Sequence, residues 1–141
     1  MNIDYERIKK RVSEIEEAIN EINKLISINE IEFWRDNRNI SAIKYYLLIA
    51  IEAVGAICVH IIAKSLGKSS SSFGECFDIL KENKIISDEL SLRLKRMVKF
   101  RNKLIHKYWD IDDKLVYEYV KFDIKDFYEF IKEIKKLLIL L

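Results

Sequence analysis

The chain has 141 residues, 50% of them hydrophobic and 34% charged, with 25 basic and 23 acidic side chains and a net charge of +2. That length suits one domain, here residues 1–141, with a core that needs no staples, and the mix of apolar and charged residues excludes a disordered chain. With no proline and three glycines, the turns of a β-sandwich or barrel are excluded too, and the expectation is an all-α antiparallel bundle of four to five helices.

The chain begins Met1-Asn2-Ile3-Asp4-Tyr5-Glu6, polar at once and unlike a signal peptide, so a cytoplasmic location is expected. Ile8, Val12, Ile15, Ile19, Ile22 and Ile26 recur at steps of four and three, predicting a helix from about Tyr5 to Ile28 with one apolar stripe. From Glu30 to Arg38 the pattern loosens, with Asn37 and Asn39 as break signals. A second long helix is predicted from about Ile40 to Leu66, with Gly67 as its C-cap. Within it, Tyr46 to Ala63 is apolar enough to raise a membrane span. Glu52 near its middle and the flanking Lys44 and Lys64 favour a central buried helix instead, with no membrane involved.

The serine run ending at Ser72 reads as a loop whose last residue caps the next helix, since Ser72 and Glu75 have capping-box spacing. That helix runs from Phe73 to Glu82 and stops at Asn83. Ser87, with Asp88 and Glu89 behind it, starts another that reaches about Tyr108. Asp110 to Asp113 forms a turn, and Asp112 or Asp113 starts a last helix to Leu141. Cys58 and Cys76 are too few for a disulfide framework or a thiolate zinc site and are expected as buried free thiols.

Charge is distributed unevenly. Between Ser91 and Trp109 lie seven basic residues, Arg93, Lys95, Arg96, Lys99, Arg101, Lys103 and Lys107, and no acid, whereas the remainder is net acidic. Leu90, Leu94, Met97, Val98, Leu104 and Ile105 form the apolar stripe of the same helix. One helix is thus core on one side and cationic on the other, which suits an anionic partner such as RNA. Arg101 stands on or near the apolar stripe, where a guanidinium needs a carboxylate, a phosphate or a partner chain. With Asn102, His106 and Tyr108 it makes a compact polar cluster at the helix end.

These residues suit RNA cleavage. The 2′-hydroxyl beside the scissile phosphate is the nucleophile, so the protein must supply a base, an acid and a cation. A histidine such as His106 can do acid or base work near neutral pH. Arg101 can hold a phosphate through two hydrogen bonds and stabilise the charge that develops on it. Asn102 is a supporting residue for the phosphate or the imidazole, and Lys99, Lys103 and Lys107 are candidates for flanking phosphates. One subunit offers one such histidine and a dimer offers two, one for each proton transfer. Asp110, Asp112 and Asp113 form an acidic knot that reads better as helix capping than as a metal site. No metalloprotease, phosphate-loop or nucleophile-elbow motif occurs, and no metal or cofactor is expected.

Arg101-Asn102-Lys103-Leu104-Ile105-His106-Lys107-Tyr108 resembles the R-x4-H-x-Y signature of HepT-like toxin ribonucleases in the HEPN superfamily. The likeness runs from about Tyr45 to Tyr119. It takes in Ala50-Ile51-Glu52-Ala53, His60-Ile61-Ile62-Ala63, Phe73-Gly74-Glu75-Cys76-Phe77 with Leu80, Met97 to Phe100, and Ile111-Asp112. Gly55 departs from it, because many such proteins carry an acid near that position, and Glu52 one turn earlier is the candidate replacement. The resemblance implies a helical bundle that pairs into a homodimer, with the two motifs meeting across a cleft. It implies a metal-independent endoribonuclease, acting in some members on tRNA ends, with Arg101 and His106 catalytic. It also implies an MntA-type nucleotidyltransferase antitoxin that silences the toxin by adding AMP to Tyr108. The competing reading is a non-catalytic module that binds nucleotide or substrate for a separate nucleotidyltransferase.

Overall fold

A computed structural model describes residues 2–140, and among them there are seven helices and no strand. In chain order these are α1 (Tyr5–Ile26), α2 (Glu30–Arg35), α3 (Asn37–Leu66), α4 (Phe73–Glu82), α5 (Asp88–His106), α6 (Asp113–Phe122) and α7 (Lys125–Leu140). The all-α expectation holds, while the count exceeds four to five for two local reasons.

The first is α2. Its six residues are too few to display a period, yet Asn29 caps it by accepting from the Ile31 amide at 3.0 Å. Phe33 buries itself in an aromatic cluster with Trp34 and Tyr117, ring centroids 5.0 and 4.9 Å away. The break before α3 falls at Asp36, which ends α2 and caps α3 through the Arg38 amide. Asn37 is already helical, and the Asn39 side-chain amide donates to the Phe33 carbonyl at 2.9 Å. The second reason is a break at Asp123 and Ile124, which divides the predicted last helix into α6 and α7. Leu141 lies outside the described residues. The apolar steps run through the break uninterrupted, but the chain changes direction there, so that α6 packs on α3 and α1 and α7 packs chiefly on α5.

The other boundaries follow the caps. Asp4 accepts from the Arg7 amide at the start of α1. That helix stops at Ile26 because the Ser27 hydroxyl turns back to the Lys24 carbonyl at 2.7 Å. Gly67 closes α3 with φ +61°, as a left-handed cap requires. Ser72 accepts from the Glu75 amide at 3.1 Å, and the Glu75 carboxylate returns one residue further back than a capping box, to Ser71. Ser87 accepts from the Leu90 amide at 3.1 Å, and α5 ends at His106, two residues short of Tyr108.

The 30-residue α3 is the hub, with α1, α2, α4, α5, α6 and α7 all packed on it. It is long and apolar enough to cross a membrane, and 56% of its most apolar window is buried within the domain. Cys58 and Cys76 are fully buried as expected, but they are not free: the two sulfurs are bonded, tying α3 to α4 across a Cα–Cα distance of 6.3 Å.

His60 also has a structural task. It is buried on α3, and its Nε2 accepts from the Asp4 amide at 2.9 Å, pinning the start of α1. Burial pushes its pKa below the ordinary value, with the charges of Arg7 and Lys64 acting the same way and Asp4 opposing them. The folded state therefore disfavours protonated His60. The stability it contributes is complete above the ordinary histidine pKa and is lost as the pH falls through the lower folded value. A thermal melt series from pH 7.5 down to pH 5 should show a steeper fall in Tm for the parent than for His60→Gln, which keeps an acceptor without titrating.

Candidate active site

The cluster predicted from the sequence sits on the last turns of α5 and the turn after it. Arg101 is the best-held member. Its Nε donates to Glu52 Oε1 at 2.6 Å, its Nη2 lies 2.5 Å from the same oxygen, and its Nη1 donates to Asn102 Oδ1 at 3.1 Å. The guanidinium also lies over the Phe73 ring, 5.3 Å from its centroid. Three elements thus fix one side chain: α5 carries it, α3 supplies the carboxylate and α4 supplies the aromatic platform. The arginine on the apolar stripe has found the carboxylate it requires.

Gly55 gains its meaning from the same contact. A Cβ at this position would lie 2.2 Å from Phe73 Cε2. The Phe73 ring occupies the space of any side chain at 55, and Glu52, one turn earlier, meets Arg101. Stacking of Phe100 on Tyr119, centroids 4.7 Å apart and planes 8° from parallel, braces the adjoining part of α5 against α6.

His106 and Asn102 are exposed. Arg101 and His106 are five positions apart, which on a helix places their backbone positions about 140° apart around the axis. The arginine is turned towards α3, and the histidine is exposed at the end of α5. Tyr108 lies just beyond the helix, half-buried, with its ring edge-on to Trp109 at 5.2 Å. Trp109 is 92% exposed, and nothing in its spacing marked it beforehand.

The basic run divides by task. Arg93 pairs with Asp126 at 2.8 Å and with Glu129, and Lys95 with Asp78 at 3.0 Å, so these two join α5 to α7 and α4. Burial raises the Asp126 carboxyl above its ordinary pKa, and the Arg93 contact opposes that. Arg96, Lys99, Lys103 and Lys107 remain exposed. In the acidic knot, Asp112 caps α6 by accepting from the Lys114 amide at 2.9 Å, and Asp113 pairs with Lys44 at 2.6 Å. Among the described residues no group of three or more His, Cys, Asp or Glu side chains is placed to hold a metal ion.

One face of α3 is left uncovered. Tyr45, Ile49, Glu52, Ala56, Val59 and Ala63 follow steps of four and three along it, and all are exposed or half-exposed. Tyr45 is 61% and Val59 44% exposed. That spacing is the seam by which one helix packs on another, and it is apolar except for Glu52, the residue that holds Arg101.

Comparison with known proteins agrees. Residues 15–134 match the family model described as Ribonuclease HepT-like. A crystal structure of a toxin–antitoxin with AMP-PNP contains a chain 26% identical, with 95% of this chain and 99% of that one covered and a TM-score of 0.84. The tri-AMPylated Shewanella oneidensis HEPN toxin, solved in complex with its MNT antitoxin, is 27% identical, with 96% and 99% covered and a TM-score of 0.85. The Bacillus subtilis protein YutE, described as a cytosolic protein of unknown function, shares the fold at 20% identity, with 96% and 91% covered and a TM-score of 0.82. Among curated proteins none matches. With 120 consecutive residues under one family model, this chain belongs to the HepT-like ribonuclease family.

Proposed function

We propose that this protein is the toxin of a toxin–antitoxin pair, a cytoplasmic metal-independent endoribonuclease that works as a homodimer. In this reading Arg101 and His106 are catalytic, Asn102 supports them, and Lys99, Lys103 and Lys107 hold flanking phosphates of the RNA. An MntA-type nucleotidyltransferase silences the enzyme by adding AMP to Tyr108.

The observation that carries the proposal is the position of Arg101. Glu52 draws it onto the uncovered apolar seam of α3. A second copy packed on that seam would bring two arginines and two histidines to a common cleft, completing what one chain leaves open. There one imidazole takes the 2′-hydroxyl proton and the other protonates the leaving oxygen, while the guanidinium stabilises charge on the phosphorus oxygens. The AMPylated relative supports silencing by AMP groups. Tyr108 is the motif's tyrosine, and an adenylyl group there would add bulk and negative charge beside the cleft.

The test uses the purified chain with total RNA in EDTA, then with the antitoxin and ATP. Cleavage without antitoxin, a mass increase of one or more AMP groups with it, and loss of cleavage after labelling are expected. Tyr108→Phe should cleave as the parent does, gain no AMP and escape silencing. RNA left intact by the unmodified dimer would shift the assignment to a binding module.

A further inference from the structure

Lys44 is buried, its residue 7% exposed, on the central helix α3. Its ammonium lies 2.6 Å from Asp113 Oδ1 and 4.6 Å from the centroid of the Tyr108 ring, over its face. Tyr108 lies in the turn between α5 and α6, and Asp113 is the first residue of α6. A buried lysine is an expensive way to anchor a turn, because the ammonium must give up water that an apolar side chain never held. Neither the RNA-cleaving groups nor the core accounts for a charge at this point. What the charge faces is the aromatic ring of the residue read above as the acceptor of AMP.

We propose that Lys44 is a positioning residue for adenylyl transfer to Tyr108: it holds the phenol ring by its face and keeps a fixed positive charge beside the negative charge that forms on it. This rests on the reading of Tyr108 as the modified residue and says how that residue is made ready. In the transfer, the Tyr108 oxygen bonds to the α-phosphorus of ATP and the bond from that phosphorus to the β-bridging oxygen breaks. Pyrophosphate leaves, and it takes up the phenolic proton. Negative charge grows on the phenol oxygen and spreads into the ring as the proton departs, and a cation over the ring face favours that state over the neutral phenol. Asp113 keeps the ammonium in place.

The experiment follows antitoxin-catalysed AMP incorporation from ATP by intact mass, over a range of toxin concentrations, for the parent, Lys44→Met, Lys44→Arg and Asp113→Asn. Lys44→Met should lower kcat for labelling about ten-fold or more while KM for the toxin changes less than about two-fold. Lys44→Arg, which restores a cation, should stay within about three-fold of the parent. Labelling of Lys44→Met at the parental kcat, or a loss confined to KM, overturns the proposal. Should Lys44→Met fail to fold, Asp113→Asn decides, since that carboxylate is half-exposed: slower labelling supports the role and parental kcat overturns it. A parent that gains no AMP on Tyr108 removes the modification reading itself and this inference with it, an outcome distinct from a labelled parent with an equally labelled Lys44→Met.

Discussion

Replacing His106 with alanine is expected to lower RNA cleavage about a thousand-fold, the loss that follows when a positioned acid–base group is removed. The fold should not suffer. His106 is the exposed last residue of α5 and takes no part in the core, so Tm should stay within about 2 °C of the parent, as for surface substitutions in general. A shared site adds a sharper expectation. If each site uses one histidine from each subunit, a dimer with one His106→Ala subunit should be as inactive as the double mutant. Equal mixing with subunit exchange should then leave about one quarter of the parental rate, the statistical share of unmutated dimers. A value near one half would mean that each subunit cleaves alone, which would contradict the separation of Arg101 and His106 around α5.

The second large effect concerns Gly55. Adding even a methyl group there places a carbon 2.2 Å from the Phe73 ring, so the ring must leave the surface of α3. Overfilling of this kind costs about 2 kcal/mol, or roughly 7 °C in Tm for a domain of this size. The same displacement removes the platform under Arg101, so Gly55→Ala should lose cleavage beyond what the melt explains. The pair Gly55→Ala with Phe73→Leu separates the two effects. It relieves the clash and should recover most of the Tm, while cleavage stays low because no aromatic ring lies under the guanidinium. Parental cleavage by that double mutant would show that Phe73 does not support Arg101.

These two residues also mark how far the sequence could be read. The place of His106 at the end of α5 was legible because on one helix spacing translates directly into position. The acid expected near position 55 was not, because its absence is explained by a ring from α4, a residue eighteen positions away in the chain. Glu52 was available as the replacement for that acid from its place one turn earlier, and only the structure shows that it meets Arg101, at 2.6 Å. The caps at Gly67, Ser72 and Ser87 were legible because each acts within three to five residues of itself. The short α2 was missed because its stability comes from Phe33 packing on Trp34 and Tyr117, not from its own period. The break at Asp123 was missed because the apolar spacing on its two sides happens to agree.

What the sequence by itself determined is the all-α class, the long apolar central helix, the one-sided charge of α5 and the family motif at its end. All of these are local, encoded in the order and spacing of residues on a single helix. Only the tertiary structure decided that Cys58 bonds to Cys76, that His60 pins the first helix, that Glu52 turns Arg101 onto the uncovered seam of α3, and that a buried Lys44 lies over Tyr108. Each of those contacts joins residues far apart in the chain, carried by different helices or by the segments that flank them. Their meeting depends on how six helices pack around α3, and periodicity along one helix carries no record of which residue of another will face it.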